Sequence, residues 1–248
     1  MSGHSKWATI KRKKGAADAK RGKIFTKLIK EITISAGLGG PDPAGNPRLR
    51  LAIQNAKGAN MPKDNIERAI KKGSGENADS YVAPTYEGYG PHKVAIFVEC
   101  STDNLNRTVA SIRSLFSKHG GSLGLNGSLE FIFSRKGVFT IAQPPNFDEE
   151  SFTLEMIDAG AEDVEVSDGY VTVTCAMEDF GSVQKKLEEM KIEPENAELR
   201  RIPSVTKQLD DEALRQALKL IDALEDDDDV QTVYHNIEMT EEQLEAMA

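Results

Sequence analysis

Cysteine is scarce in this sequence: Cys100 and Cys175 are the only two in 248 residues. They form no CxxC pair, so neither a disulfide framework nor a cysteine-rich metal site holds the chain together. Each sits in an alternating, strand-like run, which predicts two reduced, half-buried thiols. Long apolar stretches are missing as well. No run reaches the roughly 18 residues of a membrane-crossing helix, and the N-terminus lacks the apolar core of a secretory signal. The basic start leaves an organelle presequence open, but Arg12 is the only arginine before residue 20, a weak match to transit peptides. The expected location is the cytoplasm. Histidine is sparse and scattered over His4, His92, His119 and His235, with no HExxH and no GxSxG, so no catalytic constellation is evident and the chain is not expected to be an enzyme. In "SAGLGGPDPAGNP" (residues 35–47) Gly40 and Gly45 have phosphate-loop spacing, but Asn46 and Pro47 stand where Lys and Ser/Thr are required. "EDDDDV" (residues 225–230) lacks the alternation and glycine of a calcium loop and reads as a solvated turn. No cofactor, metal or small-molecule substrate is expected.

What the sequence does have is charge, unevenly placed. The net charge is −9, yet residues 1–76 hold 17 Lys/Arg against 6 Asp/Glu, while residues 77–248 hold 14 against 34. A basic module of net +11 thus precedes an acidic body of net −20. Such asymmetry suits a chain that meets a polyanion with one of its parts. The stretch "SKWATIKRKKGAADAKRGKIF" (residues 5–25) carries eight Lys or Arg, one acid, Asp18, and the only tryptophan, Trp7. Lys6, Lys11, Arg12, Lys13 and Lys14 give it the charge density that neutralises phosphates. Trp7 has two readings: an anchor that pins the arm to the following helices, or an aromatic face that stacks on an exposed base. The sequence does not separate them.

From about Ala16 the pattern turns helical. Ile24, Phe25, Leu28, Ile29 and Ile32 gather on one face at about 100° per residue. Lys20, Lys23, Lys27 and Lys30 line the opposite face, with Arg21 beside them. A second helix has Asn46 as N-cap, Pro47 at its first position and Leu49, Ile53 and Ala56 inward. A third runs from Pro62 to Gly73 with Ile66, Ala69 and Ile70 inward. None is rich in Asn, Gln or Arg at base-reading spacing, which favours recognition of phosphates or shape over base edges.

Beyond a polar linker the period changes. "KVAIFVEC" (93–100), "SLEFIFS" (128–134), "GVFTIA" (137–142) and "NAELRRIP" (196–203) read as strands. "EDVEVSDGYVTVTC" (162–175) reads as a hairpin turning on Asp168-Gly169. Helices follow Asp103, taken as an N-cap, and fill residues 148–160, 177–190 and 210–224 before a last strand at 229–237. Residues 137–202 thus read β-α-β-β-α-β, a complete split βαβ unit. The flanking pieces make a second one if a strand near Tyr86–Tyr89 is counted. The expected class is α+β: a three-helix basic bundle (1–76), then two ferredoxin-like α+β domains, one (136–203) inserted in the other (77–135 plus 204–248).

The segments "GHSKWATIKRKKGAADAKRGKIFTKLIKEI" (3–32), "NPRLRLAIQNAKGANMPKDNIERAIKKG" (46–73), "YEGYGP" (86–91), "STDNLNRTVASIR" (101–113) and "GGSLGLNGSLEFIF" (120–133) together resemble the YebC/PmpR family, collinearly and over essentially the whole chain. The resemblance implies a helical N-terminal bundle followed by two α/β-type domains. It also implies a nucleic-acid partner, described differently among relatives. Many are described as transcriptional regulators that bind DNA. A mitochondrial relative is described as a translational activator of cytochrome c oxidase subunit I. Some bacterial relatives are described as ribosome-associated factors that relieve stalling at proline-rich stretches. DNA, rRNA or tRNA, and the ribosome therefore all stand as expected partners; a membrane does not.

Overall fold

A computed structural model describes residues 18–75, 81–145, 147–167 and 169–247. In chain order it holds helices α1 (Asp18–Gly39), α2 (Pro47–Gly58) and α3 (Lys63–Gly73), then strands β1 (Thr85–Tyr89) and β2 (Ala95–Cys100). Helix α4 (Leu105–Lys118), strands β3 (Ser122–Leu123) and β4 (Phe133–Ala142) and helix α5 (Glu149–Asp158) follow. Next come β5 (Ala161–Ser167), β6 (Tyr170–Ala176), helix α6 (Phe180–Glu189), β7 (Asn196–Pro203) and β8 (Lys207–Gln208). The chain closes with α7 (Asp211–Glu225), β9 (Val230–His235), β10 (Ile237–Glu238) and α8 (Glu241–Met247). The class is α+β, as expected. The chain packs as two compact units, Asp18–Ala78 with Arg135–Arg200, and Asp79–Ser134 with Arg201–Ala248.

In the first of these units, the helical bundle is closed by apolar side chains. Ile32 and Ala36 of α1, Leu49, Ala52 and Ala56 of α2, and Ile66 and Ala69 of α3 are buried together. Asn46 caps α2 by accepting from the Leu49 N–H at 3.0 Å, and its amide donates to the carbonyls of Ser35 and Gly40, tying the end of α1 to the start of α2. Helices α1 and α3 approach so closely at Gly73 that a Cβ there would overlap the Thr33 carbonyl. Ile24 departs from expectation: it is 44% exposed. At 100° per residue it lies at the margin of the apolar face, about 80–90° from its middle, where packing ends.

The same unit contains the sheet ordered β5-β6-β4-β7. Taken in chain order, its four strands stand second, third, first, fourth, with α5 and α6 as the two crossovers, a ferredoxin-like arrangement. Its core gathers Phe139 and Ile141 of β4, Phe152 and Met156 of α5, and Val171, Val173 and Cys175 of β6. Gly137 is required by packing: a Cβ would stand 2.7 Å from both Cys175 Sγ and a ring carbon of Phe180. The β5–β6 hairpin turns where expected, with Ser167 paired to Tyr170 and Gly169 at φ +81°. Helix α2 docks on this sheet. Leu51 packs against its core. The Asn55 amide donates to the Ala197 carbonyl at 2.9 Å and accepts from the Ala197 N–H at 3.0 Å. Gly58 lies so near β7 that a Cβ would overlap the Glu195 carbonyl oxygen.

The other unit holds the sheet ordered β3-β1-β2-β9. Counted from β2, its spatial order is again second, third, first, fourth, but the third place is filled by β1, which precedes β2 in the chain. It is the same spatial arrangement with its third strand moved to the front of the chain. Both faces are covered. One carries Ile96 and Val98 against Ile112 and Phe116 of α4 and Leu220, Ile221 and Leu224 of α7. The other carries Ala95 and Phe97 against Leu129, Ile132 and Phe133. Three sequence expectations fail here. Residues 128–132 are turns, not a strand, and β4 is one ten-residue strand that begins only at Phe133. The buried Glu87 carboxylate holds those turns by accepting from the N–H groups of Gly127 and Leu129 at 2.7 and 2.6 Å. Helix α4 is capped by Asn104, which accepts from Arg107 N, while Asp103 pairs with the Arg107 guanidinium instead.

Candidate nucleic-acid interface

The lysine-bearing face belongs to α1. Lys20 and Arg21 lie on its first turns, and Lys23, Lys27 and Lys30 continue along the side opposite Phe25, Ile29 and Ile32. Lys23 is exposed; Lys27 and Lys30 are half-buried rather than fully in solvent. Lys6, Trp7, Lys11, Arg12, Lys13 and Lys14 lie outside the described residues. Burying a side chain such as Ile32 stabilises by about 1.5–3 kcal/mol, while an exposed ion pair contributes about 0–1 kcal/mol. The bundle is therefore held chiefly by its apolar faces.

The sequence reading did not single out the cations of α2 and α3. Arg48 is committed within the bundle: its guanidinium meets Glu31 Oε1 at 2.8 Å and Oε2 at 3.2 Å, and this hydrogen bonding raises its pKa above the usual arginine value. Lys63 stands 3.4 Å from Glu67, both exposed. Arg50 and Lys57 on α2, and Arg68 and Lys71 on α3, are exposed. Lys71 and Lys72 occupy the last turn of α3, where the helix dipole favours cations. The +11 of the first 76 residues already contained them; helix faces alone did not rank them.

The acidic body carries a built network where a solvated turn was expected. Asp229 is buried and accepts from Arg107 Nη2 at 3.0 Å, Arg107 Nε at 3.2 Å and Thr108 Oγ1 at 2.8 Å. These bonds, with a further one to Asp103, hold the Arg107 pKa above its ordinary value. Asp227 accepts from Ser111 Oγ and from the Asp229 N–H. The cluster thus anchors α4 to the start of β9. Among the described residues no three His, Cys, Asp or Glu side chains gather as a metal site, and no helix is long and apolar enough to cross a membrane.

Known proteins share this arrangement. Residues 5–76 match the family described as "TACO1/YebC protein N-terminal domain", and residues 81–237 match "TACO1/YebC second and third domain". A protein of Amoebophilus asiaticus, named a probable transcriptional regulatory protein, is 57% identical over 239 residues, 96% of this chain and 98% of its own. One of Treponema denticola with the same name is 55% identical over 97% of this chain and 98% of its own. The crystal structure of a conserved hypothetical protein from Aquifex aeolicus superposes with a TM-score of 0.81 at 44% identity, over 90% of this chain and 93% of its own. Bundle and sheets alike fall under matches that run from residue 5 to residue 237, and the chain belongs to the TACO1/YebC family.

Proposed function

We propose that this protein is a nucleic-acid-binding regulator of gene expression, not an enzyme, and that its basic N-terminal segment grips the phosphate backbone. The residues assigned to that grip are Lys6, Trp7, Lys11, Arg12, Lys13, Lys14, Lys20, Arg21, Lys23, Lys27 and Lys30. The observation that carries the reading is the two-sidedness of α1, apolar toward the bundle and ammonium-bearing on the other side. Each lysine that replaces a condensed counterion adds affinity that falls with salt. The names of the relatives support a transcriptional role, for which DNA is the polymer to bind. A second reading, RNA or the ribosome with a role in translation, is favoured by one feature: α1 contains no Asn or Gln, the side chains that pair with adenine edges in a DNA major groove. In either case the protein works in the cytoplasm and needs no cofactor.

The test is a salt titration of binding to duplex DNA, structured RNA and ribosomes. It compares wild type with a variant carrying Gln at Lys20, Lys23, Lys27 and Lys30, each protein also being melted. Because Lys27 and Lys30 are half-buried, the pair Lys20→Gln/Lys23→Gln is measured beside it. The slope of log K against log salt is expected to shrink by up to about 3–4 units for the fourfold change and about half that for the pair. Wild-type affinity and slope in both variants on all three polymers defeat the reading. The polymer that shows the steepest wild-type slope and tightest binding chooses between its two forms.

A further inference from the structure

The helix layer of the β3-β1-β2-β9 sheet gathers exposed cations without ion pairs toward one end. Helices α4 and α7 pack side by side in opposite directions. At one end Thr108 and Ser111 of α4 donate to Asp229 and Asp227, just beyond α7. At the other, His92 Nε2 lies 2.8 Å from Gln216 Oε1 of α7, and a Cβ on Gly90 would stand 3.2 Å from Leu220 Cδ2. The end of α4 returns to this place too, because a Cβ on Gly121 would stand 3.0 Å from Gly90 Cα. The first end collects the run from Glu225 to Asp229 together with Asp103. The second end collects Lys93, Lys118, Arg215 and Lys219, all exposed, and among the described residues none of these four makes an ion pair. Three acids share that end at the start of α7 and are hydrogen-bonded to neutral donors: Asp210 to the Ala213 N–H at 2.8 Å, Asp211 to Gln243 Nε2 at 2.9 Å and Glu212 to Gln216 Nε2 at 3.5 Å.

Lys118 sits in the last turn of α4, where the helix dipole alone favours a cation. The other three have no such explanation. Arg215 and Lys219 are one turn apart on α7. Lys93 is displayed by an unusual backbone: His92 and Lys93 both hold positive φ, +56° and +58°, a region L residues rarely adopt. Strain of this kind persists where the surroundings enforce it, and it gathers at functional positions. Here the enforcing contacts are the Gly90 N–H to Val94 carbonyl bond at 2.8 Å and the pairing of His92 with Gln216. A body of net −20 repels a polyanion as a whole. Exposed cations without ion pairs, gathered on its helix layer away from the acidic run at residues 225–229, admit that polyanion in one orientation.

We propose that Lys93, Arg215 and Lys219 form a second phosphate-binding surface, for the same nucleic acid that the N-terminal segment grips. This rests on the reading given under Proposed function. The test uses the full-length chain with Gln at all three positions, against a control with Gln at Arg135, Lys185 and Lys191, which loses the same charge from other exposed sites. Both are titrated with salt on duplex DNA and structured RNA, and both are melted. The expected result is a slope reduced by about 2–3 units in the Lys93/Arg215/Lys219 variant, a control near wild type, and equal melting temperatures. A second readout needs no variant: in the wild-type complex, Lys93 and Lys219 are protected from acetylation while Lys185 and Lys191 are not. Wild-type binding that survives unchanged in the triple variant, or a control that weakens equally, or unprotected Lys93 and Lys219, overturns this surface and leaves the N-terminal grip standing. A wild type that binds neither polymer overturns both.

Discussion

At the scale of the residue, Cys175 has no exposed surface, sealed beneath Gly137 and Phe180, where alternation predicts a half-buried thiol. Burial pushes its pKa up from 9.0 to about 11, and the carboxylates of Asp179 and Glu162 add to the rise. The folded protein therefore keeps a proton that the unfolded chain releases first. The stabilisation is complete below about pH 9 and is lost as pH rises toward about 11. Urea midpoints at pH 7, 9 and 10.5 are expected to fall more steeply for wild type than for Cys175→Ala, whatever the cavity costs at neutral pH. Parallel curves would show that the thiol is not buried as described. Caps divide in the same way between legible and hidden. Asn46 was readable because Pro47 follows it at the position a helix start prefers. Asn104 was not, because Asp103 beside it is an equally good capping residue and only the fold gave Asp103 to Arg107. Asp229 was lost among identical neighbours, since its partner Arg107 lies 122 positions away.

At the scale of the element, helices were easier to read than strands. The sidedness of α1, α2 and α3 is local and survives in the structure except at Ile24. Strand β4 reads as two pieces because Ser134, Arg135 and Lys136 interrupt its apolar run, and residues 128–132 read as extended because nothing nearby announces Glu87, some 40 positions earlier. The docking of α2 on β7 was invisible for the same reason. It yields a sharp expectation. Gly58→Ala must push α2 away from the Glu195 carbonyl, a strain of about 1–3 kcal/mol. Gly22→Ala on α1, where a Cβ meets nothing within 4 Å, is expected to gain up to about 1 kcal/mol from helix propensity. Urea unfolding separates them. An unchanged midpoint for Gly58→Ala would mean that the helix does not sit on that strand.

At the scale of the whole molecule, we propose that the chain divides at 1–76, 77–135 plus 204–248, and 136–203, with β4 and β7, neighbours in one sheet, leading into and out of the inserted part. The bundle is nonetheless bound to that inserted part through Leu51 and Asn55. A fragment of residues 78–248 is therefore expected to fold, but with the core around Cys175 loosened and the core around Cys100 intact. Alkylation followed by mass spectrometry is expected to label Cys175 faster in the fragment than in the full chain, and Cys100 at the same rate. Equal rates at Cys175 would mean that the bundle gives that core no support, and an aggregated fragment would refute the boundary near residue 77. The same attachment has another consequence. Strand β7 is the last in its sheet, and a bare edge offers its N–H and C=O groups to any extended segment of another molecule. At Ala197 both groups are already taken by the Asn55 amide, and Gly58 lets the helix lie flush against Glu195. A helix from the basic module thus shuts the sheet there, and a second molecule can lengthen it past Ala197 only after prising α2 away.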